Sequence, residues 1–203
     1  MSTRPTELAV TDWRRRTHEL YAQVRDLDPR AGHQLWRTAR DDLFGTHPAS
    51  PVTDRSRFAG LRVAPYDPAW RFELPLKPGE AQQILVGTGT DGDVAFSRLG
   101  TVELPFGSLD VWWHEGYGGG LFLPVRDGLA GRAPDEGGTY GGGRYLLDTI
   151  KGADLGGTDI GLVLDFNFAY QPSCAYDPAW ACPLAQPGNV VDVEIPVGEL
   201  SAP

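Results

Sequence analysis

The stretch Leu109-Asp110-Val111-Trp112-Trp113-His114 sets Leu109, Val111 and Trp113 on one side against Asp110, Trp112 and His114 on the other. Successive side chains of an extended chain point to opposite faces, so a period of two predicts a strand with one buried and one wetted face. The same alternation continues outward in both directions. Upstream it runs through Phe72 and Leu74, Val94 and Phe96, then Val102 and Leu104. Downstream it runs through Leu121, Leu123 and Val125, Tyr145 and Leu147, then Leu162, Leu164 and Phe166, and closes with Val191, Val193 and Ile195.

The spacers carry turn residues: Lys77-Pro78-Gly79, Thr90-Asp91-Gly92, Phe106-Gly107 and the glycine runs 118–120 and 141–143. Seven to nine short strands at such spacing predict a mainly β fold, an antiparallel meander closing into a β barrel or sandwich.

Two α-helices are expected before it. Trp13, Leu20, Tyr21, Val24 and Leu27 form one apolar stripe, with Thr11 or Asp12 as the cap. Pro29 opens the second helix behind Asp28, Ala31, Leu35, Ala39, Leu43 and Phe44 form its buried side, and Gly45 stops it. The organisation expected is one domain over 1–203, with a helical segment, 1–45, packed on a β barrel spanning 60–200. A chain of 203 residues buries such a core unaided.

A formal charge of −9 leaves no basic stripe to neutralise phosphates, so no nucleic-acid partner is expected. No apolar run approaches the ~20 residues of a membrane span. The opening Met1-Ser2-Thr3-Arg4-Pro5 does not read as a signal peptide. A cytoplasmic protein is expected, with Cys174 and Cys182 reduced.

Several motifs are present in letter only. Gly87-Thr88-Gly89-Thr90-Asp91-Gly92 fits G-x-G-x-x-G, but alternating residues follow it where a dinucleotide site needs a helix, so it reads as a hairpin. His18, His33, His47 and His114 are scattered, and Cys174 and Cys182 are spaced too widely for the short zinc pairs. No metal or cofactor is therefore expected, and the thiols read as inert, with a local disulfide as the alternative in an oxidising compartment. G-x-S-x-G has no match.

Polar and aromatic residues leave one strand end together in Asp165-Phe166-Asn167-Phe168-Ala169-Tyr170-Gln171-Pro172-Ser173-Cys174-Ala175-Tyr176. Arg126-Asp127 ends another strand, and Tyr140 to Tyr145, with Arg144, begins the next. If these ends meet, Arg144 and Arg126 can hold a carboxylate, Asp165 or Asp127 can serve as general base or orienting group, and Tyr140 or Tyr170 can donate a hydroxyl. Asn167, Tyr176 and Trp113 complete the candidate ligand contacts. The alternative is a network of Arg-Asp pairs and Tyr hydroxyls that pins long loops. Tyr66-Asp67-Pro68-Ala69-Trp70 recurs as Tyr176-Asp177-Pro178-Ala179-Trp180, which reads as two similar turns and not as a duplication.

Four stretches carry a family resemblance: Gly60 to Phe72, Tyr140 to Leu146, Leu164 through Asp165-Phe166-Asn167 to Cys174-Ala175-Tyr176, and Cys182-Pro183-Leu184 to Asn189 with Gly198-Glu199. On these the chain resembles the bacterial and archaeal domain of unknown function 1684, and its helical opening resembles the shorter actinobacterial members. The resemblance implies a shared fold and no reaction. It also expects Asn-Pro-Pro before the first cysteine, where this chain has Gln171-Pro172-Ser173.

The leading functional expectation is a small-molecule site in a β barrel, acting on a carboxylate- or carbonyl-containing metabolite if it is an enzyme. The alternatives are a non-catalytic protein-interaction module with an exposed aromatic patch around Trp112-Trp113 or Trp180, and, third, a thiol enzyme using the two cysteines.

Overall fold

The structure, a computed structural model, describes residues 5–88 and 92–202. Helix α1 spans Glu7–Arg25 and begins earlier than the expected Thr11 or Asp12. Thr6 is the cap, its hydroxyl accepting from the Ala9 N–H at 3.2 Å. Asp12 instead pairs with Arg16 at 2.9 Å and His47 at 3.0 Å. Helix α2 spans Pro29–Thr46 behind Asp28, whose carboxylate accepts from the Arg30 and Ala31 N–H groups. The helix runs on through Gly45, because the chain turns only at His47. Its buried face is centred on Trp36, Arg40, Leu43 and Phe44; Ala31 is exposed and Leu35 and Ala39 are half-buried. Leu20, Tyr21, Val24 and Trp36 pack on Ala153 and Phe168, and the Trp36 indole donates to the Tyr21 hydroxyl at 3.0 Å.

Seven strands follow: β1 (Arg71–Leu74), β2 (Gln83–Thr88), β3 (Gly92–Leu104), β4 (Gly107–His114), β5 (Leu121–Val125), β6 (Arg144–Asp148) and β7 (Leu162–Asp165). They make an antiparallel meander, β2-β3-β4-β5-β6, and a separate antiparallel ribbon, β1-β7. The protein is thus mainly β with two N-terminal helices. Among the described residues no barrel closes, and the meander ends at β2 and β6. Thr88 pairs with Gly92 across the expected hairpin, whose Gly89, Thr90 and Asp91 lie outside the described residues.

Expected strands at Val94 and at Val102 are one strand, β3, interrupted by a bulge between Arg98 and Gly100. An extra residue flips the faces of a strand. On one side of the bulge Val102 joins Leu109, Val111, Leu123, Val125, Leu164 and Phe166 in the main core. On the other, Phe96 joins Trp112, Phe122 and Tyr145 in a second cluster. Both faces of β4 are therefore covered at its centre. Trp112 is 1% exposed and Trp113 38%, the reverse of the alternation's assignment. Trp113 instead lies against Gly119, where any side chain would collide with its indole.

No strand forms at Val191–Ile195. This segment is extended, touches Arg126 in a single parallel bridge at Val190, and buries Val191, Ile195 and Val197 in the main core. Asn189 ahead of it is fully buried and splices β4 to β5. Its amide donates to the Asp110 and Pro124 carbonyls at 2.8 and 2.9 Å and its oxygen accepts from the Trp112 indole at 2.8 Å. Only two residue pairs join β4 and β5 directly, so this side chain supplies the missing ladder.

Candidate functional site

Arg144 opens β6, entered through Gly143. That residue has φ +92°, and a side chain there would sit 2.6 Å from the Val125 carbonyl, so only glycine fits. Arg144 is fully buried. Its terminal nitrogens donate to the Asp127 carboxylate at 2.6 Å and to the carbonyls of Ile195 at 3.0 Å, Val197 at 2.5 Å and Glu199 at 3.3 Å. Asp127 in turn accepts from the Leu129 N–H at 2.8 Å. The guanidinium is thus a clamp on the C-terminal segment, with its charge balanced by Asp127 and its donors directed into protein. Arg126 points elsewhere, exposed, and donates to the Gly141 carbonyl at 3.0 Å.

Asp165 and Asn167 form a second buried network. One Asp165 oxygen accepts from the Asn167 N–H at 3.0 Å and the Asn167 amide at 2.7 Å; the other accepts from the Tyr66 hydroxyl at 3.3 Å, with Arg71 at 3.9 Å. Asn167 also pairs with both backbone groups of Asp67, each at 2.8 Å. Burial pushes the Asp165 carboxyl up, opposed by the Asn167 hydrogen bonds and the Arg71 charge. Burial, then the Asp165 charge, raises the Tyr66 phenol to about 12. Asp165 borders a recess of about 60 Å³, shared with Arg25 and Arg71. That is too small for a metabolite, whose sites run to several hundred Å³.

A larger concavity lies at the other end of the polar run. An open groove of ≈ 920 Å³ is lined by Arg57, Phe58, Arg62, Tyr140, Gln171 and Tyr176, among others. Gln171 is its most telling residue. It is only 6% exposed, and its side-chain amide makes no hydrogen bond within the described residues. Its backbone N–H is held by Glu199 at 3.4 Å, and Glu199 is fully buried against Arg40 at 2.7 Å. Arg40 lies over the Trp36, Phe44 and Tyr170 rings at 5.2, 4.8 and 4.8 Å. Gly198, at φ +79°, lets Glu199 reach this position, since a side chain there would meet the Phe166 and Ala169 carbonyls at 2.7 Å. Helix α2 therefore fixes Gln171 through Arg40 and Glu199.

The two tyrosines flank this amide from different elements. Tyr140 comes from the turn before β6; its hydroxyl contacts Cys174, and this contact, then burial, raises the phenol to about 12. It is a neutral phenol at physiological pH, with its proton turned to Cys174. Tyr176 follows the 3₁₀ turn Ser173–Ala175, and its ring meets Phe44 at 5.0 Å. Arg62 is tied to the Pro134 carbonyl, with Ser201 at 3.4 Å, whereas the exposed Arg57 guanidinium makes no hydrogen bond or ion pair among the described residues.

Of the residues expected to converge, then, Tyr140 and Tyr176 share the groove. Arg144 with Asp127, and Asp165 with Asn167, form two separate buried networks. Tyr170 is half-buried beneath Arg40, with its hydroxyl pushed far up, chiefly by burial. Trp113 stands on the remote end of β4. Gln171, Arg57 and Arg62 were not among the expected contacts. No helix of the described residues is long and apolar enough to cross a membrane.

No curated protein matches the chain. Among solved structures, it is similar to the solution structure of an uncharacterized protein from Haloarcula marismortui. The two are 28% identical, with a TM-score of 0.56 over 83% of this chain and 91% of that one. The family described as "Protein of unknown function (DUF1684)" matches residues 56–200, which take in the seven strands, both buried networks and most of the groove. The chain belongs to this family.

Proposed function

We propose that the groove around Gln171 binds a small molecule carrying a carboxylate or carbonyl group. The observation that carries this reading is the Gln171 side chain: packed, 6% exposed, lining the groove and without a hydrogen-bond partner. With no protein partner and its polar atoms open to the groove, the amide can pair with a ligand that offers both an acceptor and a donor. Arg57 supplies an unpaired positive charge for a carboxylate, and Tyr140 a phenol oxygen that can accept while its proton faces Cys174. The Tyr176 and Phe58 rings offer the apolar walls that such sites use. The ribbon-on-sheet packing is taken as an open sandwich, so this site lies at a loop-lined edge and not in a barrel mouth.

The groove favours binding over proton transfer, because the Tyr140 phenol holds its proton and Asp165 opens onto a different recess. The test is a titration of isotope-labelled protein with benzoate, succinate and an N-acyl amino acid, followed by amide shifts. Perturbations centred on Gln171, Tyr140, Tyr176 and Arg57, lost in Gln171→Leu, support the reading. Perturbations centred on Asp165 and Arg71, or none with any of the three probes, contradict it.

A protein-interaction role rests on a different observation. Tyr117 is fully exposed beside the 38% exposed Trp113 at the β4–β5 turn. Trp112 is buried, so the aromatic patch open to a partner there is confined to these two side chains.

A further inference from the structure

Cys174 and Cys182 are eight residues apart, but the turn between them folds the chain back on itself. The Asp177 N–H donates to the Ser173 carbonyl and the Trp180 N–H to the Asp177 carbonyl, both at 3.1 Å. The two thiols are thereby brought close enough for each to act on the other's charge. Both are free and half-buried, so a small reagent can reach them. Cys182 packs on the Phe96, Trp112, Phe122 and Tyr145 cluster, and the Tyr145 hydroxyl anchors the next carbonyl, Pro183, at 2.6 Å. Cys174 lies on the 3₁₀ turn Ser173–Ala175, against the Tyr140 hydroxyl. Facing thiols on two anchored segments are poised for a bond between them, and among the described residues no third metal-ligating side chain joins the pair.

We propose that Cys174 and Cys182 form a redox-active dithiol that closes reversibly to a disulfide by exchange with a low-molecular-weight disulfide of the glutathione type. The environment gives the two sulfurs different roles. The Cys174 thiol beside it, with the Lys151 charge further off, draws the Cys182 thiol down. The same proximity and burial push Cys174 up. Thiolates attack and thiols do not. Cys182 thiolate therefore attacks one sulfur of the small disulfide, forming a mixed disulfide and expelling one small thiolate. Cys174 then loses its proton to solvent and attacks the Cys182 sulfur, expelling the second. The protein loses two electrons and two protons, and one small disulfide becomes two thiols. The step is independent of whether the groove binds a ligand.

The experiment equilibrates the intact protein in glutathione buffers of graded redox ratio, quenches with acid and measures the mass. The expected product is a monomer lighter by two hydrogens, with a peptide linking Cys174 to Cys182, reversed by excess reduced glutathione. Iodoacetamide should label Cys182 about tenfold faster than Cys174. Cys174→Ser should stop at the mixed disulfide on Cys182. A wild-type protein that keeps both thiols at every ratio, or oxidises only by linking two chains, overturns the proposal, as does equal slow alkylation of the two cysteines.

Discussion

The five residues Tyr-Asp-Pro-Ala-Trp occur twice and fold the same way twice. In each copy the Asp carboxylate accepts from the Ala N–H, at 3.0 Å for Asp67 and 2.9 Å for Asp177. In each the Trp N–H returns to the Asp carbonyl, at 3.2 and 3.1 Å. Their surroundings divide them. Tyr66 donates to Asp165 and lies 5.6 Å from the His33 ring, Asn167 grips both backbone groups of Asp67, and Trp70 packs on Phe106 and Phe166. The second copy has no such grip: Tyr176 touches Phe44 and otherwise faces the groove. An identical local sequence thus makes a structural joint in one place and the wall of a candidate site in the other. Local hydrogen bonds shape the turn, but the elements packed around it decide what the turn is for.

The largest blow to this contrast is Asn167→Ala. It removes a fully buried amide with three side-chain hydrogen bonds and should cost about 3 kcal/mol of stability in urea denaturation. A cost below about 1 kcal/mol would mean that the first turn is no better anchored than the second.

Acid sharpens the comparison next. Burial first, then the Arg37 charge, lowers His33 from 6.5 to about 4, so the ring is neutral in the folded protein at pH 7. Below pH 6.5 the unfolded chain takes up a proton that the folded chain refuses until about pH 4. The stability from this group is therefore complete above pH 6.5 and declines as the pH falls from 6.5 to about 4. His33→Phe keeps a ring against Trp36, Tyr66 and Phe168 and should flatten that decline by about 2 kcal/mol. Parallel pH profiles of the two proteins would contradict this.

The smallest expected effect is the turns' own. Asp67→Ala and Asp177→Ala each lose one side-chain cap and should each cost about 1 kcal/mol, because the local bond is the same in both. Equal losses would confirm that the difference between the turns lies outside their five residues.

The sequence carried the strands well, because burial on one face leaves a period of two that any short window reveals. Closure was not legible, since whether β2 and β6 meet depends on bulges and registers set by residues far apart. The break at Arg98–Gly100 and the register shift at Pro124 leave little trace in composition. The buried face of α2 was misplaced because Arg40 counts as polar, although three aromatic rings and Glu199 enclose it. Arg144 and Asp127 form a buried ion pair, a contact of the kind the network alternative describes. What no window shows is that the C-terminal carbonyls occupy the guanidinium. Gln171 stood unremarked within the quoted run. Its one signal was that the family pattern expects Asn-Pro-Pro where this chain reads Gln171-Pro172-Ser173.

The most direct test of the central claim is the split between stability and binding in Gln171→Leu. Its urea midpoint and its affinity for whichever carboxylate probe binds the wild-type protein should be measured side by side. An unbonded amide contributes little to folding, so the midpoint should hold while affinity falls by tenfold or more, equivalent to about 1.4 kcal/mol. A variant that binds as tightly as the wild type, or that loses stability and binding in proportion, would place Gln171 in the fabric of the fold and not in a ligand site.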